Sequence, residues 1–387
     1  MKQINIGVIG AEGRGAIARH AHCPGEGVFI RAASTLNLDN IRRMKDEFGA
    51  DFLTTTDYRE ILARPEINAV FICTPDFLHE EQALAAIEAG KHVFLEKPMA
   101  ITIDGCDRLL NAAKRRGVHL YIGHNMRFMP VMQKLKALID AGAVGQVQAV
   151  WCRHFISYGG DAYFKDWHSE RRFTHGLLLQ KGAHDIDVIH WLAGAYTTRV
   201  SGMGKLSVYD KLPRRAPGEP QPRVQFNRNN YPPEATSGYS PEIDVEDHNM
   251  MMMQLANGVQ ASYLQCHYTP DDVRNYTIIG TRGRLENYGD SSSEEKWASV
   301  HLWNQRTGYN ELGHEVFRIP PADGGHGGAD PKIVADFIGI LRGKSPKGAT
   351  PLDARMSVAA GWLATESIRN GNIAYDVPPV AECAERE

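Results

Sequence analysis

Five short apolar runs, Ile4–Ile9, Phe29–Ser34, Ala69–Cys73, His92–Leu95 and His119–Ile122, alternate with helical patterns through the first 122 residues. Their length and their Val, Ile and Phe content mark them as strands rather than buried helices. The helical stretches Glu80–Ala89 and Asp104–Arg116 stop at Gly90 and Gly117, the residue type that closes a helix in the left-handed conformation. Such alternation predicts βαβ units and a parallel sheet, an α/β fold of the doubly wound kind. Ligands of these sheets collect outside the carboxyl ends of the strands. The residues that follow each run are therefore where chemistry is expected.

The pattern then changes. Pro130–Ala141 predicts a helix, with proline in its first turn and Gly142 at its end. Gln146–Arg153 alternates polar and apolar, as a half-exposed antiparallel strand does. Met250–Leu255, Val259–Cys266, Tyr276–Gly280 and Ser299–Trp303 predict further strands, with turns at Asn257-Gly258 and Arg282-Gly283. The expected organisation is a first domain over 1–122 and an α+β domain over 123–387. The second is built on a large, mostly antiparallel open sheet, whose uncovered face would serve a homo-oligomer, a dimer or tetramer. Within it, residues 211–243 carry seven prolines and little periodicity, which reads as a lid, an arm or a disordered insertion.

With 387 residues, 43% hydrophobic and 23% charged, the chain has material for two or three ordinary globular domains. A net charge of -3 argues against a nucleic-acid partner. Six cysteines are scattered without a C-x-x-C pair, which suits a reducing compartment. The start, Met-Lys-Gln, runs directly into a strand with no signal-peptide pattern. No apolar run reaches the roughly 18 residues of a membrane span. A cytoplasmic enzyme without a membrane partner is expected.

Gly10-Ala11-Glu12-Gly13-Arg14-Gly15 follows the first strand and opens a helix. Glycines there let the backbone approach a pyrophosphate seated on the helix N-terminus, so Gly10, Gly13, Arg14 and Gly15 are expected to bind a dinucleotide. The spacing departs from G-x-G-x-x-G, because Glu12 stands in the middle glycine position. After the second strand, Ser34 and Thr35 occupy the place where an acidic residue would select NAD or an arginine NADP. Arg42 and Arg43 on the next helix suit either. The expected cofactor is NAD(P), leaning to NAD.

Three polar segments follow the later strands: Thr74-Pro75-Asp76-Phe77-Leu78-His79, Glu96-Lys97-Pro98 and Gly123-His124-Asn125-Met126-Arg127-Phe128. Thr74, Pro75, His79, Glu96, Lys97, Pro98 and Asn125 are candidate cofactor contacts at that edge. A lysine at a strand terminus is either half of a solvated ion pair or, when desolvated, a group that exchanges protons. Further on, Gln180-Lys181-Gly182-Ala183-His184 leads into a predicted helix on which His184, Asp187 and Trp191 share a face. His184 could equally cap or pack there. His184, Asp187 and His190 lack a second ligand cluster, and no metal is expected. Before that helix, Trp167, His168, Arg171 and Arg172 lie in a charged loop. Tryptophan can stack on a sugar face and an arginine pair can hold an anion, although a solvated loop would look the same.

The glycine turn, T-P-x-x-x-H, E-K-P, G-H-N-x-R-F and G-x-H-x-x-D occur in that order over residues 10–187. The set resembles the glucose-fructose oxidoreductase/inositol dehydrogenase/MocA (Gfo/Idh/MocA) family, and Ile279-Gly280-Thr281-Arg282-Gly283-Arg284-Leu285 is similar to its second-domain strand-turn. The resemblance implies a Rossmann domain followed by an α/β domain with an open sheet. It also implies NAD(P)-linked oxidation or reduction of a sugar or cyclic polyol hydroxyl. Lys97 and His184 would then take the family's proton-transfer positions, with Asn125 and Arg127 lining the site.

One position departs from the family pattern. Inositol dehydrogenase places an aspartate four residues before the histidine, where this chain has Gln180, followed by Lys181. The leading expectation is hydride transfer from a sugar hydroxyl with Lys97 and His184 moving the proton. The substrate would be held by Asn125, Arg127, Trp167, His168, Arg171, Arg172, Gln180, Lys181 and Asp187. The alternative is an NAD-dependent glycosidase, sulfoquinovosidase-like, working by transient C3 oxidation, elimination, hydration and re-reduction of an anionic glycoside.

Overall fold

The computed structural model describes residues 3–49, 51–221 and 226–381, the side chains of 38–42 excepted. The chain divides into two compact units. One holds the residues up to Phe128, Asp323–Arg355 and the residues from Val380 on; the other holds Met129–Ala322 and Met356–Pro379.

The first unit is built on six parallel strands: β1 (Ile4–Ile9), β2 (Val28–Ser34), β3 (Leu53–Thr55), β4 (Ala69–Ile72), β5 (His92–Leu95) and β6 (Leu120–Ile122). Their order is β3-β2-β1-β4-β5-β6, the doubly wound arrangement, with the reversal point between β1 and β4. Strand β4 is buried at every position, as its unbroken Ala-Val-Phe-Ile requires. The helix Ile103–Arg116 starts where the Thr102 hydroxyl accepts from Gly105 N at 3.0 Å. It ends at Gly117, which has φ 63°.

The expected boundary after Ile122 moves to Phe128, and a distant segment joins this unit. The reason is packing. Phe71 and Phe94 stack at 4.5 Å on the sheet, and Phe337 meets both edge-on at 5.6 and 5.7 Å. The Tyr121 hydroxyl donates to Asp336 at 2.8 Å. Buried Arg355 holds Asp107 through Nε at 2.8 Å and Nη2 at 3.1 Å.

The second unit carries nine strands: β7 (Val147–Phe155), β8 (Thr197–Lys205), β9 (His248–Leu255), β10 (Gln260–Cys266), β11 (Val273–Gly280), β12 (Arg284–Tyr288), β13 (Ala298–Trp303), β14 (Glu315–Ile319) and β15 (Tyr375–Asp376). They lie in the order β14-β13-β12-β11-β7-β10-β9-β8-β15. The sheet is mostly antiparallel, as expected, with one correction at its centre. Strand β7 is antiparallel to β11 but parallel to β10, since helices and two further strands intervene before the chain returns beside it. The inner residues of β7 meet the helix Gly182–Ala193. The outer face leaves Trp151 48%, Met203 58%, Met250 50% and Met252 69% exposed.

Of the 211–243 segment, residues 222–225 lie outside the described residues; the rest forms an ordered arm. Tyr239 is buried beside Tyr209 and Phe164, whose rings stack at 4.0 Å. Arg215 donates to the carbonyls of Lys165 and Gly238 at 3.0 and 2.6 Å. No described helix is long and apolar enough to cross a membrane.

Candidate active site

At the carboxyl edge of the first sheet the backbone is arranged as a cradle. Gly10 has φ 79°, and a Cβ on it would lie 2.8 Å from Thr74 N. A Cβ on Gly15 would lie 2.2 Å from the Gly10 carbonyl oxygen, whereas Gly13, at φ 49°, has nothing within 4 Å in front of it. The turn is therefore closed at its base and open where a diphosphate would approach, so the residues present fit a dinucleotide. The expected helix after it, Gly13–Ala21, is a 3-10 helix. The Ser34 carbonyl accepts from Gly10 N and Ala11 N, each at 3.1 Å, which ties the turn to the end of β2. The Thr35 hydroxyl donates to the Glu12 carboxylate. Glu12 thus brings an acid to the place where Ser34 and Thr35 supply none. The Arg42 side chain lies outside the described residues.

Arg14 reaches across this edge instead of pointing along the cradle. Its Nε donates to Glu96 at 2.6 Å, and Nη1 and Nη2 donate to the two oxygens of Asp330 at 2.6 and 2.9 Å. Burial alone would lower its pKa, but Glu96 and Asp330 together raise it. Asn125 Nδ2 donates to the same Asp330 at 3.1 Å, and His326 Nδ1 lies 2.9 Å from it. Glu96 also accepts from Lys97 N at 3.2 Å, and the Lys97-Pro98 peptide is cis.

His79 is fully buried, with Nδ1 2.7 Å from the Pro98 carbonyl and Nε2 2.8 Å from that of Thr74. Burial pushes its pKa down, against the two carbonyls, which pull it up; the neutral ring donates to only one of them. The Thr74 hydroxyl donates to Gln82, and buried Arg127 is paired with Asp353 at 3.1 Å. Gly10, Thr74, Pro75, Glu96, Lys97 and Asn125 thus stand at one edge of the first unit, as their places after successive strands predict.

In the second unit, the head of the helix Gly182–Ala193 is organised around buried Asp185. Its carboxylate accepts from the Tyr276 hydroxyl at 2.5 Å and lies 3.0 Å from His154 Nδ1 and 3.1 Å from Arg274 Nε. Burial pushes the Asp185 pKa up, yet Arg274 and His154 outweigh it and hold the group ionised. The His154 pKa falls to about 3, from burial and the neighbouring Arg274. Lys181 Nζ donates to the Tyr158 hydroxyl at 3.2 Å and lies 5.6 and 5.8 Å from the Tyr158 and Tyr163 ring centres. The residue as a whole is half-buried, but its ammonium is packed round by protein. Burial and Arg274 bring its pKa down to about 7, against the pull of Asp185, Asp290 and Asp272.

Asp187 is buried on the same helix as half-buried His184, and buried Gln180 ends the short helix Leu177–Gln180 just before it. His190 Nε2 accepts from Thr197 N at 3.1 Å, a link from helix to β8. The Trp167 and His168 rings stack at 3.7 Å. Arg171 donates to the Asp244 carbonyl at 2.6 Å and faces Glu246 at 3.4 Å, and exposed Arg172 donates to Glu170 at 2.7 Å. Glu170 balances Arg172, whereas Glu246 is shared by Arg171 with Arg369, which donates to its two oxygens at 2.9 and 3.0 Å.

Asp330, His326, His154, Arg274 and Tyr158 were not foreseen as site residues. His326 sits in Gly324-Gly325-His326-Gly327-Gly328, where three consecutive residues have positive φ, and Asp330 follows two residues on. That glycine cluster was the available signal. His154 and Arg274 are brought opposite each other only by the β7–β11 register.

Two family profiles match the chain: "Oxidoreductase family, NAD-binding Rossmann fold" over residues 4–124 and "Oxidoreductase family, C-terminal alpha/beta domain" over 136–377. Among curated relatives, "Uncharacterized oxidoreductase YrbE" of Bacillus subtilis is 31% identical over 208 residues, 52% of this chain and 58% of its own length. An "Inositol 2-dehydrogenase/D-chiro-inositol 3-dehydrogenase" of Shouchella clausii is 32% identical over 194 residues, 49% of this chain and 53% of its own. The chain thus spans little more than half the length of either relative. Among solved structures, a levoglucosan dehydrogenase in complex with NADH and levoglucosan shares the fold with a TM-score of 0.76 at 22% identity. That likeness covers 98% of this chain and 100% of the other. An aldose-aldose oxidoreductase from Caulobacter crescentus gives 0.73 at 19%, over 97% and 100%. The chain belongs to the Gfo/Idh/MocA family of oxidoreductases, with an NAD-binding Rossmann unit at its start.

Proposed function

We propose that the protein is an NAD-dependent oxidoreductase acting on a hydroxyl of a sugar, glycoside or cyclic polyol. The observation that carries this reading is Lys97 at the carboxyl end of β5, two strands from the glycine cradle, with Glu96 beside it committed to Arg14. Gly10, Gly13, Gly15, Thr74, Pro75 and Pro98 would hold the dinucleotide, with Glu12 and Thr35 receiving the adenosine ribose. The bound nicotinamide supplies the hydride acceptor. Lys97 and His184 would take the hydroxyl proton, an effect typically worth about 10² to 10⁴ in rate. Asn125, held by Asp330, would orient the substrate, and Lys181 would contact it from the helix head. The inositol and levoglucosan dehydrogenases among the relatives support the substrate class.

A glycosidase reading is favoured by one observation: Gln180 cannot act as a base, while Lys181 beside it is poised near neutrality. In that route a ketone at sugar C3 acidifies the C2 proton and a base removes it. The C1 aglycone then leaves with its bonding electrons, water adds at C1, C2 regains a proton, and the hydride that the dinucleotide would have taken from C3 returns there to restore the alcohol. The uncovered apolar face of β7 to β10 supports a homo-oligomer formed with a second copy of this chain.

Four outcomes are expected. Lys97→Ala and His184→Ala should each lower turnover by about 10² to 10⁴. Turnover is followed as NADH absorbance and, separately, as aglycone release with solvent deuterium at C2, over a panel of sugars and glycosides. Accumulating NADH supports the dehydrogenase, and release without net NADH supports the glycosidase; unchanged activity in both variants removes the site assignment.

Because the Glu12 carboxylate would oppose a 2′-phosphate, kcat/KM should favour NAD over NADP. Glu12→Ala should shrink the preference by about tenfold, or about 1.4 kcal/mol; equal use of both cofactors by the parent protein contradicts the assignment. If Lys181 accepts a proton, activity should fall as pH drops below about 7, where the amine becomes charged, and Lys181→Met should remove that limb. An identical pH profile in the variant excludes the role. Light scattering should find a dimer or tetramer, and Trp151→Arg combined with Met252→Arg should give monomers; a monomeric parent protein rules the interface out.

A further inference from the structure

The proline-rich arm encloses a cleft of about 620 Å³, all of it within the second unit. One wall is Tyr158 and Asp161, the opposite wall is Phe226 to Tyr231 of the arm, and Asp271 and Asp272 close one side. We propose that this cleft is a subsite for a second sugar ring, so that the substrate is a neutral glycoside of at least two rings rather than a free monosaccharide. The inference rests on the reading above that the protein acts on a carbohydrate.

The cleft is a built feature. Asp161 is buried, and its carboxylate accepts from Asn230 Nδ2 at 2.8 and 3.0 Å, from Asn227 N at 3.3 Å and from Lys165 Nζ at 2.8 Å. One carboxylate thus fixes both ends of the arm's short turn and has its own charge met by a lysine. Held this way, the arm presents Phe226, 68% exposed, and Tyr231, 44% exposed. The Phe226 ring stands edge-on to Tyr158 at 5.3 Å. Large aromatic surfaces kept in water beside amides and carboxylates are what a pyranose needs. The C–H face of the ring covers the aromatic carbons, and its hydroxyls bond to the polar rim.

The rim also selects by charge. With Asp161 neutralised by Lys165, Asp271 and Asp272 remain against a single Arg228. That balance suits uncharged hydroxyls and opposes a sulfonate or phosphate.

Position ties the cleft to the reactive end. Tyr158 lines both this cleft and a second one of about 720 Å³ that contains His154 and Arg274. The Tyr158 hydroxyl also receives Lys181, three residues before His184. A sugar at the helix head and a ring bonded to it in the arm cleft would lie on the two sides of one tyrosine.

The test compares kcat/KM for disaccharides with that for methyl glycosides of the same reacting sugar, by NADH absorbance and aglycone release. The disaccharide should be preferred by about tenfold or more, the scale of one stacked ring. Phe226→Ala and Tyr231→Ala, both exposed and safe for folding, should bring the ratio close to one. A ratio near one in the parent protein, or a preference untouched by both variants, overturns the subsite. Should no sugar turn over, the proposed function fails by itself. Calorimetry of the same disaccharides then decides the subsite: binding lost in Phe226→Ala upholds it, and no binding overturns it.

Discussion

A guanidinium held between two carboxylates organises the reactive edge of the first unit. Arg14 comes from the glycine turn, Glu96 from the end of β5 and Asp330 from a segment more than three hundred residues downstream. Charge-assisted hydrogen bonds of this kind are worth about 1.5–3 kcal/mol each. Their larger effect is geometric. By fixing Glu96, Arg14 fixes the residue before Lys97; by sharing Asp330 with Asn125, it fixes the loop after β6. The ends of β5 and β6 and the cradle are thereby held in one arrangement, and His79 lies between the carbonyls of Thr74 and Pro98, in the loops after β4 and β5.

The second unit uses the same device with the signs reversed. A buried anion, Asp185, gathers Arg274, His154 and Tyr276 from the sheet and so sets how the helix head sits on β7. Lys181 then finds itself buried beside a fixed positive charge, which is why its ammonium is poorly tolerated.

Much of this was legible in the sequence, for identifiable reasons. Strands buried on both faces declare themselves as unbroken Val, Ile and Phe runs, so β1, β2, β4, β5 and β6 and the loops after them could be placed within a residue or two. The glycine turn, Glu96-Lys97-Pro98 and the His184 segment followed. Strand β8, Thr-Thr-Arg-Val-Ser-Gly-Met-Gly-Lys, has no such run and went unnoticed. The arm could not be told from a disordered insertion, because its order comes from partners outside it, Asp161, Phe164 and Tyr209, and not from its own composition. A linear reading also assigned 323–355 to the wrong unit, since Phe337 and Arg355 reveal their partners only in three dimensions.

That misplaced segment has a consequence for how the protein is made. The nucleotide-binding unit is discontinuous: its cradle and its lysine emerge early from the ribosome, while Asp330, Phe337 and Arg355 emerge only after β14. Until then Arg14 lacks one of its two carboxylates, the apolar Phe71–Phe94 face lacks its cover and Asp107 lacks its counter-charge. The unit that is first in sequence therefore gains these partners only after eight strands of the second sheet, β7 to β14, have been synthesised. The order of synthesis thus leaves the glycine turn with Glu96 as its first anchor and Asp330 as a late one.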